Sequence, residues 1–136
     1  MAQEISQSQI IGDNWDNIHK NKEKYDKFMD VFYEKFLNTD PKYKKLFPKN
    51  MTKQKIKMAN TLSMICRIGE EEEMATIQMQ KIADKHKKYN LNAQDMNNFE
   101  SALLQTLSEF SAEKWSEKIE NAWKSGLKKC VKYYFE

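Results

Sequence analysis

Two histidines occur in the chain, and the company they keep differs. His86 closes the run from Lys81 to Tyr89, where Met79, Ile82 and His86 step by three and four and so share one helical face. An imidazole at that place is either satisfied beside the core or offered to a metal, and the spacing alone leaves both readings open. His19 stands among Asn17, Lys20 and Asn21 and reads as solvent-facing. A second polar group aimed along an apolar direction is Gln54, one turn ahead of Met58 on a stripe that continues through Leu62 and Ile65. Its amide either bends back to water at the helix end or joins whatever the inner face holds. Cys66 and Cys130 lack metal-ligand spacing and read as reduced, helix-packing thiols, with a regulatory disulfide as the alternative.

The elements that must position these groups are helical. Lys, Glu, Asn, Met and Leu dominate where Val and Thr are scarce, and 3 Gly and 2 Pro leave few tight turns. With 136 residues and 40% hydrophobic content, the chain has the size and material for one all-α domain spanning 1–136. A first helix from Ser6 to His19 presents Ile10, Ile11, Trp15 and Ile18. A second, from Asn21 to Asn38, carries the aromatic stripe Tyr25, Phe28, Phe32, Tyr33 and Phe36. Asp40 caps and Pro41 starts a short helix that ends at Phe47 and Pro48, since proline cannot continue the hydrogen-bond ladder. Thr52 is expected to cap a helix to Ile68, with Gly69 as its stop. The histidine helix spans 71–89. Asn92 with Asp95 resembles a capping box opening a helix to Phe110, and Ser111 is expected to cap the last helix, whose inner stripe runs from Trp115 to Tyr134.

The net charge of +3, with Lys and Glu read as interleaved, lacks the basic footprint of a nucleic-acid binder. The run Glu70 to Glu73 fits a helix start, where the macrodipole favours anions. No apolar stretch reaches the roughly 18 residues of a membrane span, and Met1 to Glu4 offers no apolar signal-peptide core, so a cytoplasmic location is expected.

The helix order, together with Phe32 to Phe36, Asp40-Pro41 through Leu46-Phe47-Pro48, Lys81 to His86, and Ala102 to Leu107, resembles a globin over nearly the whole chain. The landmarks are most similar to single-domain bacterial globins and the haem domain of flavohaemoglobins. The resemblance implies a globin fold with helix D short or absent, haem b (iron protoporphyrin IX) as cofactor, and His86 as the iron ligand. It places Phe47 against the porphyrin, Tyr33, Gln54 and Met58 on the gas-binding side, and Lys85 near a propionate. Ile82, Leu91, Met96 and Phe99 complete the implied lining.

Two hydrogen-bond donors facing bound oxygen would imply tight binding and slow release, hence oxygen storage, scavenging or delivery. The alternative is an enzyme, a nitric oxide dioxygenase served by a separate reductase; a gas or redox sensor ranks behind both. Two departures bear on the enzyme reading. Met96 stands where flavohaemoglobins have a tyrosine behind the histidine, and the chain reaches Glu136 near or before the position of the family's proximal glutamate. A diatomic gas is the expected partner, with no nucleic acid and no membrane, for a monomer or homodimer.

Overall fold

The computed structural model describes residues 6–67 and 72–135, with side chains described outside 72–75 and 133–135. Among these residues there are seven α-helices and no strand: α1 (Gln7–His19), α2 (Lys22–Leu37), α3 (Pro41–Leu46), α4 (Thr52–Ile65), α5 (Glu72–His86), α6 (Ala93–Ser111) and α7 (Glu117–Phe135). Short 3-10 turns, Lys87–Tyr89 and Ala112–Lys114, follow α5 and α6. α2 lies along α6, while α1 and α5 both pack on α7. Residues 47–51 connect α3 to α4 without a helix of their own, as a globin fold with helix D absent requires.

Local chemistry explains most helix ends. The Ser6 hydroxyl accepts from the Gln9 N–H, the Asn21 side chain from Lys24, and the Asp40 carboxylate from Lys42 with Pro41 next in line. Asn92 and Asp95 form a reciprocal capping box. After α5 the chain turns at Asn90, whose φ of 52° is the left-handed conformation that asparagine tolerates.

Two capping expectations are corrected. Thr52 lies inside α4, and it is the Asn50 side chain that accepts from the Thr52 N–H at 3.0 Å. Ser111 does not cap the last helix. It is buried, its hydroxyl accepts from Asn14 Nδ2 at 2.8 Å, and Ser116 instead accepts from the Ile119 N–H at the start of α7. Gly69 and the side chains of Glu70 to Glu73 lie outside the described residues, so the expected helix stop and the anionic helix start there do too.

The core is built from Ile11, Trp15 and Ile18 of α1, Phe28, Met29 and Phe32 of α2, Leu103 and Leu107 of α6, and Trp123 and Leu127 of α7. Its polar members are satisfied: Asn14 Oδ1 accepts from the Trp123 indole at 3.0 Å while its amide serves Ser111. Cys66 and Cys130 are free thiols, and burial pushes each up to about 12, which keeps them protonated and unreactive. No described helix is long and apolar enough to cross a membrane.

Candidate functional site

The C-terminal part of the α2 stripe, Tyr33 and Phe36, faces the corner between α3 and α4, while Tyr25 and Phe28 pack on Trp15 of α1. Phe36 stacks on Tyr43 at 4.5 Å and on Phe32 at 6.0 Å between centroids, while Phe47 and Phe99 meet it edge-on at 6.2 and 5.8 Å. Phe47 also meets Tyr33 edge-on at 6.0 Å. Edge-to-face contacts of this kind align ring quadrupoles and fix the rings against rotation. Phe47 is held at the corner because Pro48 follows it and its own backbone is extended, at φ −114° and ψ 143°.

Tyr33 and Gln54 come together here from helices α2 and α4. Gln54 Nε2 donates to the Tyr33 hydroxyl at 3.3 Å, and that hydroxyl reaches the Gln54 backbone carbonyl at 3.5 Å. Gln54 is half-buried and does not bend back to water. Tyr33 is 3% exposed, and burial raises its phenol to about 12 against a smaller opposing contribution from Gln54. The phenol is therefore a permanent donor near neutral pH, and at 3.5 Å its proton is only loosely committed to the carbonyl.

His86 is built differently from the expected core-facing residue. Met79 is buried and Ile82 half-buried, but His86, at the C-terminal end of α5, is exposed. Its Nδ1 lies 2.7 Å from the Ile82 carbonyl oxygen. A carbonyl can only accept, so Nδ1 carries a proton, and in the neutral imidazole this leaves Nε2 as the nitrogen that can bind a metal. Tyr89 sits edge-on to the imidazole at 6.1 Å and takes the Lys88 ammonium over its ring at 5.1 Å. Lys85 is exposed.

Met58, Leu91, Met96 and Phe99, like Phe47 and Ile82, are only half-buried. Phe47, Met58, Ile82 and Phe99 nevertheless pack against the main core, so the core keeps a set of partly open apolar members. His19, the other histidine, is exposed, tilted against Trp15 at 5.5 Å and edge-on to Tyr25 at 5.2 Å.

One cluster at this corner was not apparent from the sequence. The Asp95 carboxylate, 5% exposed, accepts from the Tyr43 hydroxyl at 2.6 Å, from Lys42 Nζ at 2.7 Å and from the Asn92 N–H at 2.9 Å. Burial opposes ionisation of Asp95, but the bonds from Lys42, Tyr43 and Asn92 together outweigh it and hold the carboxyl below its ordinary value. The cluster ties α3, and with it the Phe47 corner, to the start of α6. The sequence clue was an acid in a capping box with Asn98 three residues on, since Asn98 Nδ2 also donates to the Tyr43 hydroxyl at 3.1 Å.

These features define an all-helical protein with a set of half-buried apolar side chains on its core, a part-buried phenol–amide pair, and an exposed imidazole whose Nδ1 is held by a carbonyl. The chain belongs to the globin family: the family model described as Globin matches residues 30–133. No curated protein matches the chain. Globins as a family bind haem. The donor set here suits that group, since His86, with its Nδ1 held by the Ile82 carbonyl, can offer Nε2 to iron, and half-buried Phe47, Met58, Ile82 and Phe99 suit a flat apolar macrocycle.

Proposed function

We propose that this globin holds haem b through His86 and binds oxygen reversibly and tightly, with Tyr33 and Gln54 as the distal donors. Haem, when bound, supplies a ferrous iron that takes up a diatomic gas. The Nδ1–H bond to the Ile82 carbonyl fixes the His86 tautomer and orients Nε2 for ligation. Phe47 would pack against the cofactor, Met58, Ile82, Leu91, Met96 and Phe99 would shield it from water, and Lys85 would pair with one of its carboxylates.

The observation that carries the reading is the part-buried Tyr33–Gln54 contact at 3.3 Å. The phenol proton, held only by a 3.5 Å contact to a carbonyl, turns towards bound gas at little cost. The second amide N–H of Gln54 supplies another donor. Each charge-assisted bond to oxygen contributes about 1.5–3 kcal/mol, and about 1.4 kcal/mol corresponds to a factor of ten.

Stopped-flow oxygen displacement on the wild type and on Tyr33→Phe tests this. The variant is expected to release oxygen at least about tenfold faster. An unchanged rate would remove Tyr33 from the mechanism.

A further inference from the structure

The interleaving of charge read for the chain as a whole fails over residues 41–67. This stretch contains seven lysines and one arginine and no Asp or Glu, although the chain as a whole has 23 cations and 20 acids. The rest of the molecule is therefore net acidic, and its positive charge is gathered on α3, the α3–α4 corner and α4. Two of these lysines are neutralised internally, Lys42 by Asp95 and Lys55 by Asp30. Lys44, Lys45, Lys49, Lys53 and Lys57 are exposed and have no ion pair among the described residues. They flank Phe47 and Gln54 in the chain, and two apolar side chains lie open among them, Leu46 at 43% and Ile56 at 54% exposure. Lys53, Ile56, Lys57 and Asn60 recur at helical spacing and are all exposed, so α4 turns this stripe outward while Leu62 and Ile65 face the core.

Resting on the haem-globin reading above, we infer that the α3–α4 corner is the docking surface for an acidic protein that carries a one-electron donor. Ferric haem binds no oxygen, and returning it to the ferrous state takes one electron from outside the site. The carrier is oxidised by one electron and the iron reduced by one, with no bond made or broken. Clustered uncompensated lysines steer an acidic surface to this corner, and Leu46 and Ile56 give it an apolar contact once it arrives. The corner offers no exposed aromatic ring for a nucleic-acid base to stack on, Tyr43 being 1% exposed and Phe47 half-buried. A membrane surface would call for a broad apolar face, whereas the outward stripe of α4 has Ile56 alone among polar residues. A second copy of the chain is a poorer fit as well. Its α6/α7 groove would meet five lysines with one acid uncompensated among the described residues, Glu100, since Glu109 is paired with Lys35 at 2.9 Å and Glu120 with Lys124 at 3.7 Å.

The test uses the haem-loaded protein with an acidic two-iron, two-sulfur ferredoxin as probe. Binding is followed by amide chemical-shift mapping and by calorimetry, and reduction of the ferric protein by stopped flow. Shifts are expected at residues 44–57, and affinity should fall at least about tenfold between about 20 and 200 mM salt. The triple variant Lys45→Gln, Lys53→Gln, Lys57→Gln should weaken binding and slow reduction by about tenfold. Lys128→Gln with Lys129→Gln on α7 should leave both unchanged. Absent binding, binding indifferent to salt, or equal binding by the triple variant overturns the inference. So does any of three other results abolished by the triple variant: tighter binding to phosphatidylserine-containing vesicles, tighter binding to a single-stranded oligonucleotide, or self-association. The Soret band keeps the two readings apart. Its absence after haem loading sinks the haem-globin reading, whereas a normal band without ferredoxin binding sinks only the docking surface.

Discussion

Tyr33 and His86 reach their chemical states by opposite routes. Burial raises the Tyr33 phenol to about 12, so it stays protonated over the range in which the protein works. Oxygen release from the haem-loaded protein should accordingly be flat from about pH 6 to about pH 10, the ordinary tyrosine value. A release rate that climbs across that range would show the phenol ionising early. His86 is set by a single 2.7 Å bond from Nδ1–H to a carbonyl four residues back, which any helical histidine with a suitable rotamer can make. His86→Ala should lose the Soret band on haem addition while helix content by circular dichroism is unchanged, because the exposed imidazole contributes little to the apoprotein core. The sequence spacing put both residues on apolar stripes, which holds for buried Tyr33 and fails for exposed His86. It could not show that the phenol contacts Gln54 or that Ile82 fixes the tautomer, since each depends on distances between atoms that periodicity does not determine.

At the scale of elements, the short α3 is held by chemistry more than by its own propensity, six residues being too few for a stable isolated helix. Its anchor is Tyr43 donating to Asp95 across 52 residues of sequence, reinforced by Lys42. Since the folded carboxyl titrates below its unfolded value, its stabilisation is fully present above the ordinary aspartate value of about 3.9 and is lost as pH falls through the depressed folded value. Asp95→Asn should lower stability by on the order of 1 kcal/mol near neutrality. The gap in Tm between wild type and variant should close on acidification below about pH 4. A gap that persists in acid would mean the network acts through shape alone.

Helix starts carried by a distinctive pair, such as Asp40-Pro41 or Asn92 with Asp95, were legible. Those with several competing hydroxyls or amides were not. Asn50 rather than Thr52 serves α4, and Ser111 is drawn into the core by Asn14, 97 residues away, leaving Ser116 to start α7.

For the whole molecule, the half-buried Phe47, Met58, Ile82 and Phe99 remain partly open to water although they pack against the buried core residues. A group that covers them and binds only the folded state raises stability by mass action, about 2.7 kcal/mol at 100 times its Kd. Thermal melts with increasing haem should show Tm rising with haem concentration, and a Tm indifferent to haem would separate this chain from the cofactor its family binds. The all-α class, the order of the helices and the family were determined by the sequence alone, because hydrophobic spacing, proline and capping pairs act within a few residues of one another. Three things were decided only in the tertiary structure: the Tyr33–Gln54 pair, the Asp95 anchor of α3, and which of the lysines in residues 41–67 find an acidic partner. Each is a relation between side chains on different helices, set by how those helices pack.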